Sequence, residues 1–247
     1  MTEYIGRAFL DGTKYANLEE SDQRKGRPQP PLHTLLAGGA RCPLPPAPPS
    51  ADLGGVPLRD VLKARRSLRS YADAPLTLEE LSFLLWCTQG VKADSTDKYT
   101  LRPVPSAGAR HAFETALLVQ RVDGLAPGMY QYDAATHELV EWRVPADAAE
   151  RWVSACLDQP MVQTGAVTFI WIADRYRMAW RYGERGLRYL YLDAGHVCQN
   201  LYLAAEALNA GACAIGAFDD DAVNELLGLD GNDRFVIYLA SLGKRGS

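Results

Sequence analysis

Several common catalytic signatures are missing from this 247-residue sequence. It has no GxGxxG dinucleotide turn and no GxxxxGK[ST] loop, which removes the two usual phosphate cradles. It also has no serine-centred nucleophile elbow, so the ordinary hydrolase reading has no support. Cysteine is sparse: Cys42, Cys87, Cys156, Cys198 and Cys213 are odd in number, widely spaced and contain no CxxC pair. That pattern excludes a zinc ribbon or a thioredoxin-type motif and argues against a disulfide framework. Three of the five sit among apolar neighbours and read as small core residues. The four histidines are scattered without metal-ligand spacing, so no metal site is expected. No uncharged apolar run approaches the roughly 18–20 residues of a membrane helix. The N-terminus lacks the basic-then-apolar pattern of a secretory signal, making the cytoplasm the default location. A net charge of −4 speaks against a nucleic-acid partner.

What is present divides at about residue 55. Eight of the fifteen prolines precede Leu53, and periodicity there is weak, so residues 1–55 read as an extended arm, free or laid on a partner subunit. Residues 56–247 read as one α/β domain. Pro57 suits the first position of a helix carrying Leu58, Val61 and Leu62 and ending at Arg65. Thr77 and Glu80 form a capping box for a helix that stops at Gly90. Strand patterns cover Phe113–Val122, a hairpin of Met129–Tyr132 and Glu138–Trp142, and Val167–Ala173, apolar on both faces. A short helix spans Asp147–Leu157. The longest helix, Leu187–Leu208, is apolar over a wide arc and therefore buried on several sides or at a subunit interface. Strand Ala212–Ile215, capped helix Asp219–Leu227 and strand Phe235–Leu242 complete a mixed α+β pattern.

Three segments carry candidate chemistry. Arg65, Arg66, Ser67 and Arg69 follow directly on a helix. They form either a solvated basic turn or a phosphate grip through charge-assisted hydrogen bonds. Pro105-Ser106-Ala107-Gly108 and Ile215-Gly216-Ala217-Phe218 are runs of small residues that let backbone amides approach a flat ligand. Isolated candidates have plainer readings. His196 fits a core histidine, Asp219–Asp221 fit a helix cap, and Trp171 and Trp180 fit core or pocket wall. His111 and Glu114 could face the pocket.

Together the stretches RRSLRSY (65–71), PLTLEELSFLLW (75–86), PSAGARHAFET (105–115), GLAPGMYQYD (124–133), 181–208, AIGAFDDDAVNELLGLD (214–230) and the terminal LGK resemble the nitroreductase family of flavoproteins. They lie nearest its branch of azoline dehydrogenases, the SagB/ThcOx type. The resemblance spans about residues 57–245, and segment 13–31 looks like the leader of stand-alone members. It implies an α+β nitroreductase fold: a central mixed sheet flanked by helices, with the long helix at the interface of a homodimer that shares two FMN sites. It further implies that Arg65, Arg66, Ser67 and Arg69 hold the FMN phosphate and ribityl chain, with Lys244 and Arg245 completing that site. Pro105, Ser106, Ala107 and Gly108 of the partner subunit would lie along the isoalloxazine, and Gly216 and Ala217 would offer amides near N5 and O4. The implied activity is hydride transfer through FMN between NAD(P)H, or an organic substrate, and a small acceptor. Azoline dehydrogenation of a modified peptide with O₂ is the alternative, and a non-catalytic flavin-binding or scaffold subunit is the alternative from another class. Azoline dehydrogenases carry a Lys-Tyr pair where this chain has Arg181 and Tyr182. Tyr182 can serve as acid or base, whereas a guanidinium keeps its proton near neutrality.

Overall fold

The computed structural model describes residues 4–46, 55–93, 95–143 and 148–246. Within them, seven strands form one sheet: β1 (Arg41–Pro43), β2 (Phe113–Val119), β3 (Gly128–Asp133), β4 (Glu138–Trp142), β5 (Val167–Asp174), β6 (Ala210–Ile215) and β7 (Arg234–Lys244). Their order is β1-β4-β3-β2-β5-β7-β6. Among the described residues, eight α-helices accompany them: α1 (Ile5–Gly12), α2 (Leu58–Ala64), α3 (Leu78–Gln89), α4 (Ala148–Ala155), α5 (Pro160–Thr164), α6 (Arg175–Tyr182), α7 (Gly186–Ala207) and α8 (Asp220–Leu226).

Strand β5 is an inner strand, between β2 and β7, because Val167–Ala173 is apolar on both faces and stays buried along its length. One apolar core packs α3 and α7 onto one face of the sheet, through Leu81, Leu84, Leu190, Val197 and Leu201. A second core on the opposite face joins Trp152 of α4, Met161 of α5 and Val223 of α8. The capping box forms as the spacing predicts. The Glu80 amide donates to the Thr77 hydroxyl (3.2 Å) and the Thr77 amide to the Glu80 carboxylate (2.9 Å). Asp219 caps α8 by accepting from the Ala222 amide at 3.0 Å. Cys156, Cys198 and Cys213 are buried. Among the described residues, no helix is long and apolar enough to cross a membrane.

The structure corrects several expectations. The sheet is antiparallel at every strand pairing rather than mixed; among the described residues the one parallel pairing is an isolated bridge, Leu76 to Val122. Helix–strand alternation does not set strand direction. The N-terminal segment is not uniformly extended, since α1 is helical and β1 joins the sheet through β4. Pro57 is the residue before α2 rather than its first turn. His196 faces outward from α7 instead of lying in the core, because the buried arc passes through Asp193, Ala194, Val197 and Cys198. Tyr191 and Leu192 are also left exposed on that helix, at 60% and 58%.

Candidate functional site

The arginine segment is laid against the sheet edge by its own backbone. The Leu68 amide donates to the Ala212 carbonyl and the Ala72 amide to the Lys244 carbonyl, both at 2.9 Å. Two glycines make the approach possible. A Cβ on Gly211 would stand 2.6 Å from Leu68, and one on Gly243 would stand 2.8 Å from the Tyr71 ring. The Tyr71 hydroxyl completes the seam by donating to the Ser241 carbonyl at 3.0 Å.

On this base Arg65 lies over the Tyr202 ring, 5.3 Å from its centre. The Ser67 hydroxyl shares a hydrogen bond with the Tyr202 hydroxyl at 3.0 Å, and that hydroxyl accepts from the Ala214 amide at 2.8 Å. Tyr202 thus ties the arginine segment to the end of β6, where Gly216 and Ala217 are exposed. Arg66 and Arg69 are exposed, and neither side chain has an ion pair or hydrogen bond among the described residues. The two C-terminal cations differ. Lys244 is paired with Glu80 and Arg245 with Glu206, and the Arg245 Nε also donates to the Ala210 carbonyl at 3.1 Å. Neither is an uncommitted charge, so the phosphate role implied for them has no free cation behind it.

The Pro105–Gly108 turn is held from below by α7. Asp193, buried, accepts from the Ser106 hydroxyl at 2.6 Å and from the Ala107 amide at 3.3 Å. Ser106 in turn accepts from the His111 amide at 2.9 Å. Burial raises the Asp193 carboxyl above its ordinary pKa, against these hydrogen bonds. The backbone is strained here: Gly108, Ala109 and His111 all have positive φ (58°, 51° and 42°). Gly108 also faces Tyr182 and Arg181. A Cβ there would meet the Tyr182 hydroxyl at 2.5 Å and the Arg181 Nε at 3.0 Å.

Beneath the turn lies a buried polar cluster. Arg177, fully buried, pairs with Glu114 at 2.6 Å and donates to the Thr34 hydroxyl at 3.1 Å. The Thr34 amide donates to the same Glu114 oxygen at 2.6 Å, fixing the N-terminal segment to β2. Arg102 donates to the Gln89 side chain at 2.6 Å, and the Arg110 Nε donates to the Arg177 carbonyl at 3.0 Å. Burial, helped by Arg102, pushes the His111 imidazole down to about 3, so it is neutral at pH 7. His111 and Glu114 therefore belong to the support of the turn, not to an open pocket.

Within one chain the candidate residues form two groups. Arg65–Arg69 and Gly216–Ala217 gather around Tyr202, while Pro105–Gly108 gathers with Arg181 and Tyr182 near Asp193. Tyr202 lies nine positions after Asp193 on α7, about 13.5 Å along the axis. Asp193 and Tyr202 escaped sequence reading because each lies in an apolar helical pattern. The available signal was Asp193, a carboxylate among the apolar residues of that helix. Beside Tyr182, a cavity of about 610 Å³ opens between residues 15–24 and the end of α6. No group of three or more His, Cys, Asp or Glu suited to a metal occurs among the described residues.

The model of the nitroreductase family matches residues 62–244. A protein of Methanocaldococcus jannaschii described as a nitroreductase is 37% identical over 194 residues, covering 78% of this chain and 94% of that one. A crystal structure of an Anabaena variabilis protein, also described as a nitroreductase, superposes with a TM-score of 0.70 at 33% identity. It covers 84% of this chain, which spans only 42% of that longer one. The fold recurs in a Desulfovibrio desulfuricans structure determined in complex with FMN (TM-score 0.54, 18% identity, 78% and 88% covered).

Proposed function

Since this chain belongs to the nitroreductase family of oxidoreductases, we propose that it binds FMN and transfers hydride between NAD(P)H, or an organic substrate, and a small acceptor. One observation carries the reading: Arg66 and Arg69 stand exposed beside Ser67 with no counter-charge among the described residues, on a segment fixed rigidly to the sheet. A dianionic phosphate supplies what those guanidinium groups lack. Exposed Gly216 and Ala217 leave the backbone bare where a flat ring can approach. The residues present therefore fit FMN.

Bound FMN would supply two-electron chemistry at ring N5. The chain's own contribution is placement. Arg65, pinned on Tyr202, orients the segment, and Arg66, Ser67 and Arg69 hold the phosphate. Tyr182 brings a phenol proton to the Gly108 turn, and Arg181 brings a fixed positive charge that cannot act as a base. The separation of the two residue groups along α7 supports a homodimer in which the Pro105–Gly108 turn of one subunit serves the flavin of the other. Exposed Tyr191 and Leu192 are the apolar surface such an interface would cover.

An anaerobic absorbance titration of the FMN-loaded protein with NADH and NADPH tests this. Bleaching of the flavin bands is expected. A flavin that binds and stays oxidised would turn the reading to substrate oxidation, azoline dehydrogenation included. A protein that takes up no FMN would leave only the non-catalytic scaffold.

A further inference from the structure

The cavity beside Tyr182 is walled on one side by the N-terminal segment, and charge of both signs lines it. Its volume of about 610 Å³ falls in the range of small-molecule sites. Glu19, Glu20 and Arg24 come from the segment, and Arg181 and Arg185 from the end of α6 and the turn after it. That wall is fastened rather than draped. The Gln23 amide donates to the Trp180 carbonyl at 2.8 Å, the Trp180 indole to the Arg27 carbonyl at 3.0 Å, and the Tyr176 hydroxyl to Asp22 at 2.9 Å.

The charges are not equally available. Arg185 is occupied: it donates to the Thr13 carbonyl and to the Tyr189 hydroxyl, each at 2.9 Å, and stacks on Tyr15. Glu19, Glu20, Arg24 and Arg181 have no ion pair and no side-chain hydrogen bond among the described residues. A ligand with one negative charge would meet two carboxylates, and one with a single positive charge would meet two guanidinium groups. A ligand carrying both charges satisfies both sets.

We propose that this cavity binds a small zwitterion, with a carboxylate held by Arg181 and an ammonium group held by Glu19 and Glu20. Its role as a substrate chamber rests on the flavin reading above, because Arg181 and Tyr182 abut the Gly108 turn. The binding itself rests on the cavity alone. The N-terminal segment thereby becomes a determinant of substrate choice, and the substrate class is amino-acid-like. A peptide backbone, whose termini lie far apart, does not present the two charges together.

The test is calorimetric binding of phenylalanine, 3-phenylpropionate and phenethylamine to the full FMN-loaded chain. They share one ring and differ in carrying both charges, the negative one or the positive one. Phenylalanine is expected to bind about tenfold tighter than either analogue, the contribution of one charge-assisted hydrogen bond. Arg181→Met should erase its advantage over phenethylamine, and the double variant Glu19→Gln/Glu20→Gln its advantage over 3-phenylpropionate. Equal binding of the three, no binding of any, or variants that weaken all three alike would overturn the proposal. Repeating the titration without FMN separates the two claims. Zwitterion selectivity in a chain that takes up no flavin keeps the cavity and removes the oxidoreductase reading. Flavin uptake without selectivity does the reverse.

Discussion

Two groups of arginines in this molecule share a side chain and differ in everything else. Arg102, Arg110 and Arg177 lie under the Pro105–Gly108 turn, buried, and donate to carbonyls, Gln89, Thr34 and Glu114. Arg66 and Arg69 lie on the sheet-edge segment, exposed and without partners among the described residues. The first group holds a strained turn in place. The second is available to a ligand. Lys244 and Arg245 show that position alone does not make a cation available, since both stand near the arginine segment yet are matched by Glu80 and Glu206.

Removing a buried member should have the largest effect. Arg177→Met leaves Glu114 buried without its partner, and urea unfolding should show a loss of about 3–5 kcal/mol. A loss below about 1 kcal/mol would mean the cluster does not support the turn. Removing exposed members should do the opposite. Arg66→Ala/Arg69→Ala should keep the unfolding midpoint while FMN affinity, read by flavin fluorescence, falls about 100-fold, roughly tenfold per charge-assisted contact. A drop in stability with unchanged affinity would invert the assignment of the two groups.

Asp193→Asn keeps the size of the side chain but removes the charge that receives Ser106 and Ala107. A stability loss of about 1–2 kcal/mol is expected, with weaker flavin binding, because the left-handed backbone at 108–111 loses its anchor. The smallest effect at neutral pH comes from His111. Its folded pKa of about 3 lies below the ordinary 6.5, so between those values the unfolded chain holds a proton that the folded chain does not. Stability should therefore fall as pH drops through that window, and His111→Gln should flatten the fall in acid unfolding curves.

Much of the fold was legible because local rules and burial agreed. The Thr77–Glu80 box, the doubly apolar β5 and the long α7 all follow from spacing. Strand direction was not, since the order of helices and strands leaves it open, and a mixed sheet was expected where an antiparallel one forms. The arginine segment was legible as chemistry. Its availability was not, because that depends on distant carboxylates such as Glu80 and Glu206 finding Lys244 and Arg245. The N-terminal segment hid its structure for a related reason. It is fixed by side chains of the domain, Glu114, Gln131 and Arg177, grasping its residues 34–37, so its own sequence shows no periodicity.

On the flavin reading, the uncommitted guanidinium groups of Arg66 and Arg69 hold the FMN phosphate. Parallel titrations of the flavin-free protein with FMN and with riboflavin, which differ by that phosphate alone, address it most directly. FMN is expected to bind at least about 100-fold tighter, and added salt to narrow the gap. Equal affinities, or a gap that persists in Arg66→Ala/Arg69→Ala, would contradict it.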